Sequence, residues 1–97
     1  MKAVMIVYNQ ALSDVVMEIL EKLSLRGFTQ WENVIGRGSE KGEPHYGNHT
    51  WPAKNSAILS VVEDDRVAPL LERLRNLDSQ TQEQGTRAFV WNVEDGM

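Results

Sequence analysis

Two leucine-rich stripes set what this chain can become. Leu12, Val15, Val16, Ile19, Leu20 and Leu23 fall at i, i+3, i+4, i+7, i+8 and i+11, the apolar face of an amphipathic helix. Val67, Leu70, Leu71, Leu74 and Leu77 repeat the pattern later in the chain. Glu18 stands four residues before Lys22 on the polar side of the first stripe, a favourable helical charge pair. Gly27 is read as the left-handed stop of the first helix, and Asp64 or Asp65 as the cap of the second. Pro69 is tolerated only near a first turn.

The segments around the stripes read as strands. Residues 3–8 are a continuous apolar run, the mark of a strand buried on both faces. Residues 28–35 carry Phe28, Trp31, Val34 and Ile35 among polar residues, and residues 57–62 and 88–93 supply two further strands. Residues 80–85 are a polar connector. The order is β-α-β-β-α-β, the split arrangement of an α+β, ferredoxin-like domain. Right-handed crossovers place both helices on one face of a four-stranded antiparallel sheet. The expectation is a single domain over residues 1–97, with residues 36–55 as an exposed loop.

Two helices cover one sheet face, yet both faces are apolar. Ala3, Met5 and Val7 oppose Val4, Ile6 and Tyr8, while Phe89 and Trp91 oppose Ala88 and Val90. A bare apolar face is an association site. The chain is therefore expected to form a closed homo-oligomer, a trimer, with Val90 read as part of the contact.

The net charge of −4 and pI of 5.1 give no basic stripe for a nucleic-acid backbone. No apolar run approaches the ~18 residues of a membrane span, and the first eight residues lack the features of a secretory signal. A cytoplasmic, non-membrane protein is expected. There is no cysteine, and no serine sits beside a base in a recognisable nucleophile context. The chain is read as a binding module and not as an enzyme.

Residues 36–55 hold glycines, charges and two histidines but almost no aliphatic residue. Gly36, Gly38 and Gly42 allow backbone N–H groups to converge on an anion, and Arg37 and Lys41 add positive charge. The spacing is not that of a Walker phosphate loop. His45 and His49, four residues apart, are candidate ligands for a divalent metal, although that spacing is diagnostic only on a helix. Tyr46 and Trp51 are candidate anchors for a partner, whereas Trp31 is read as packed.

The run from Val34 and Ile35 through Gly36, Arg37, Gly38, Ser39, Glu40, Lys41 and Gly42 resembles the start of the T-loop in PII-like nitrogen-regulatory signalling proteins. Pro52, Ala53, Lys54 and Asn55 continue the resemblance, as do Gly85, Thr86, Arg87, Ala88, Phe89 and Val90 before and within the last strand. The resemblance implies a homotrimer with inward-facing sheets. It also implies an adenine nucleotide or small anion in the clefts between subunits, and a loop that controls a partner such as a transporter or enzyme. The ligand set it implies is Gly36, Arg37, Gly38, Lys41, Gly85 and Arg87, with no cofactor required. Two departures mark a divergent member. Arg87 stands where that family carries a lysine, and Glu94, Asp95, Gly96 and Met97 replace its basic C-terminal segment. The alternatives are a divalent-metal-binding tolerance protein similar to the CutA-like family, using His45 and His49, and an assembly subunit whose loop only docks a partner.

Overall fold

Four strands form one sheet: β1 (Lys2–Asn9), β2 (Thr29–Val34), β3 (Asn55–Val62) and β4 (Arg87–Asn92). The helices are α1 (Ser13–Lys22), entered through a 3-10 turn at Gln10–Leu12, and α2 (Asp64–Gln80). The computed structural model describes residues 1–36, 44–48, 53–81 and 84–97. The sheet order is β2-β3-β1-β4, and every neighbouring pair is antiparallel. The β-α-β-β-α-β order expected from the stripes is the order found.

β1 lies at the centre and its register divides the molecule. Val4 pairs with Ser60 and Val90, Ile6 with Ile58 and Ala88, and Tyr8 with Ser56. Val4, Ile6, Tyr8, Ile58 and Val62 form one buried cluster with Val16, Leu20, Leu23, Leu70, Leu74 and Leu77 of the two helix stripes. Each buried large aliphatic side chain contributes about 1.5–3 kcal/mol. The helices and this face of the sheet are therefore the core.

The opposite face carries Ala3, Met5 and Val7 of β1, Leu59 and Val61 of β3, and Phe89 and Trp91 of β4. Phe89 is 58 % exposed, Trp91 48 % and Trp31 45 %. Two expectations are corrected here. Val90 lies beside Val4, on the helix side, so the bare face presents Phe89 and Trp91 instead. Trp31, read as packed, pairs with Ala57 and stands exposed on that same face. Phe28 and Ile35 fall outside β2, and both are exposed.

The helix ends also differ from the sequence reading. α1 stops earlier than Gly27. Leu25 N–H donates to the Leu20 carbonyl at 2.9 Å, and Ser24 N–H to Glu21 at 2.9 Å, the paired bonds of a Schellman closure. Ser24, with φ of 57°, takes the left-handed position, because this closure returns Leu25 to the core beside Leu20. At α2 the cap position is Glu63, whose side chain makes no capping bond. Asp64 and Asp65 sit inside the first turn, where their charge favours the helix N-terminus. Pro69 lies in the second turn, so the Asp65 carbonyl loses its helical donor. Glu18 and Lys22 do pair, at 2.8 Å, and the hydrogen bond to Lys22 holds the Glu18 carboxyl below its usual range.

These ends make separate predictions for two nearby positions. Ser24→Gly relieves a left-handed non-glycine residue and should raise stability by about 0.5–1 kcal/mol in urea denaturation. Gly27→Ala, where an added methyl meets nothing within 4 Å, should be neutral or slightly stabilising. A marked loss at Gly27 with no gain at Ser24 would return the helix stop to Gly27.

Candidate functional site

The polar connector after α2 turns sharply into β4. Thr81 closes the helix, its hydroxyl donating to the Leu77 carbonyl at 2.7 Å, and Gln84 N–H donates to the Thr81 carbonyl at 2.9 Å. Gly85 has φ of 68°, a conformation that costs a side-chain-bearing residue about 1–2 kcal/mol. This turn directs Thr86 and Arg87 beside the last turns of α2. Leu71, Leu74, Arg75, Asp78, Thr86 and Arg87 line the resulting open cleft of 210 Å³.

The chemistry of the cleft is mixed. Arg87 Nη1 donates to the Thr86 carbonyl at 2.7 Å and lies 3.4 Å from Asp78 Oδ2. Both partners of that ion pair are partly exposed, so it is a weak restraint. Asp78 Oδ1 and Thr86 Oγ1 are buried without a hydrogen-bond partner. Buried polar atoms are nearly always paired. The two guanidinium groups that line the cleft are donors suited to a phosphate.

The other half of the expected site lies at the base of the loop. Gly36 and His45 exchange both backbone bonds, at 3.0 and 2.6 Å, and Tyr46 bridges to Lys54. Residues 44–47 thus insert as a short rung between the ends of β2 and β3. Pro44 is buried and His45 is 2 % exposed, so residues 36–55 are not exposed along their whole length. His45 Nδ1 lies 2.5 Å from Asn55 Oδ1. An amide oxygen only accepts, so Nδ1 carries the proton and is committed to Asn55. The histidine read as a metal candidate is therefore packed into the loop base. Among the described residues no group of three or more His, Cys, Asp or Glu converges as a metal site. Tyr46 is partly exposed.

Of the residues expected to bind ligand, Gly36, Gly85 and Arg87 are described, and they share one end of the sheet. They do not converge within one chain. β2 and β4 are opposite edges, so Gly36 and Arg87 are separated by three strand spacings, on the order of 15 Å. Arg37, Gly38, Lys41, His49 and Trp51 lie outside the described residues. Sequence reasoning missed Arg75 and Asp78 in the cleft and Asn9 at the strand end, and named Thr86 and Asn55 only within the stretches of family resemblance. The asparagines had a signal, since each is a polar residue abutting an apolar strand run.

A family profile described as nitrogen regulatory protein P-II matches residues 1–97. Among curated protein sequences, none matches the chain significantly. CPII of Thiomonas intermedia K12, a nitrogen regulatory PII-like protein solved with ADP, AMP and bicarbonate, is 21 % identical with a TM-score of 0.75, covering 99 % of this chain and 92 % of that one. Its apo form is 19 % identical with a TM-score of 0.71, covering 93 % and 85 %. A PII-like signalling protein from Thermus thermophilus is 23 % identical with a TM-score of 0.67, covering 95 % and 85 %.

The unpaired Thr86 hydroxyl yields a stability prediction. Thr86→Val removes a buried group that has no partner and should stabilise the free protein by about 1 kcal/mol. Thermal or urea unfolding reads this directly. A loss of similar size would mean that the hydroxyl is already satisfied.

Proposed function

The chain belongs to the nitrogen regulatory protein P-II family, and from that premise we propose that it is a homotrimeric sensor of an adenine nucleotide. The observation that carries the ligand reading is the open cleft beside β4, which Arg75 and Arg87 line together. The guanidinium groups take the phosphates with charge-assisted bonds. The adenine nucleotides bound to CPII support the same ligand class.

A ligand that also uses the loop base must bridge two copies, because Gly36 and Arg87 occupy opposite edges of one sheet. In this reading Gly36, Arg37, Gly38 and Lys41 of one subunit complete the cleft formed by Gly85 and Arg87 of the next. The apolar face bearing Phe89, Trp91 and Trp31 provides the contact that brings the copies together. The loop, with Tyr46 and Trp51, is the output surface toward a regulated transporter or enzyme. The family's role is regulatory, and no catalytic step is assigned to the cleft.

Titration calorimetry tests the ligand. ADP, ATP or AMP should bind, and Arg87→Ala should weaken binding by about tenfold or more, since each lost charge-assisted bond is worth roughly 1.5–3 kcal/mol. The wild-type affinity should fall with rising salt. No heat at millimolar nucleotide would remove the sensor reading and leave the fold untouched. The assembly has its own test: Trp91→Asp should dissociate the oligomer in light scattering, whereas a wild-type chain that already runs as a monomer would contradict it.

A further inference from the structure

At the end of the sheet that holds both Gly85 and Gly36, a row of polar side chains crosses the strands. Gln84, in the connector, accepts a hydrogen bond from Asn9 Nδ2. Asn9 pairs across the ladder with Asn55. Gln10 N–H donates to the Lys54 carbonyl at 2.9 Å, which makes the adjacent Asn9–Asn55 pair the non-hydrogen-bonded kind, whose side chains approach closest. Asn55 Oδ1 then accepts from His45 Nδ1 at 2.5 Å. Its Nδ2 lies 3.1 Å from where a methyl on Gly36 would sit. Asn9 is 8 % exposed, Asn55 4 % and His45 2 %.

Buried amides are costly unless bonded, and these are bonded outward, to two different loops. Asn9 is fixed on both sides, since its Oδ1 also accepts from Ala11 N–H at 2.9 Å. Asn55 holds the His45 ring, whose backbone closes the rung with Gly36. The row runs through ladder neighbours from the connector beside the proposed cleft to the base of the loop. A shift of Gln84 strands Asn9 Nδ2, and movement of Asn9 alters the packing of Asn55 against it.

We infer that Asn9 and Asn55 are positioning residues that transmit the state of the connector to the loop base, so that occupancy of the cleft is read at His45. The inference rests on the proposed cleft for its ligand but not for its geometry. Gly85 and Arg87 form the cleft side of the device, Asn9 and Asn55 its middle, and the Gly36–His45 rung its output.

Amide hydrogen exchange of Gly36 and His45 reads the device, because their N–H groups bond across that rung. In the free protein, Asn9→Ala and the milder Gln84→Ala should each speed exchange at Gly36 and His45 by about threefold to tenfold, with Ile6 and Ile58 unchanged. ADP at saturation should slow the same two amides in the wild type. In both variants that slowing should be lost while the calorimetric affinity for ADP stays within about threefold. Unchanged free-state exchange in both variants, or ADP-dependent slowing retained in both, would overturn the relay. If ADP gives no heat with the wild type, the cleft reading fails, and the free-state comparison alone decides whether the row exists.

Discussion

Contact between the helix stripes and one face of β1 and β3 is the constraint on which the remaining structure depends. Val4, Ile6 and Tyr8 must face Val16, Leu20, Leu70 and Leu74, and a strand alternates its side chains strictly. Once that face is assigned, every other residue of β1 is committed to the opposite side. Two helices are then used up, and on the second face Phe89 and Trp91 are left exposed while Met5, Val7 and Leu59 are only half-buried. The apolar second face follows from the first.

The elements were legible in the sequence because their periods are strong. Leucine at helical spacing and a six-residue apolar run left little choice, and the order of elements determined the topology. The errors came where the answer depends on a partner segment. The apolar pattern of residues 88–93 gives two acceptable faces, and only pairing with Val4 turns Val90 toward the helices. Gly27 looked like a helix stop by type. The stop fell on Ser24 because returning Leu25 to Leu20 is worth more than a left-handed serine costs. His45 looked exposed by composition, but Asn55, ten residues on, supplies the partner that lets it be buried.

The candidate site was legible at its edges and not in its middle. Gly85 and Arg87 belong to the stretch that carries the family resemblance, and in the structure Gly85 makes a turn and Arg87 lines a cleft. Asp78 becomes notable only through burial without a partner, a property no residue type announces. The asparagine row is a relation between four segments and has no motif.

Under the proposed function a second copy completes the cleft, so assembly and ligand binding stand or fall together. Native mass spectrometry of the protein with ADP observes both at once. The account predicts an ion series of three copies of the 11.0 kDa chain carrying up to three nucleotides, with no nucleotide on dissociated single chains. Single chains that bind ADP as well as the assembly does, or an assembly that takes none, would contradict it.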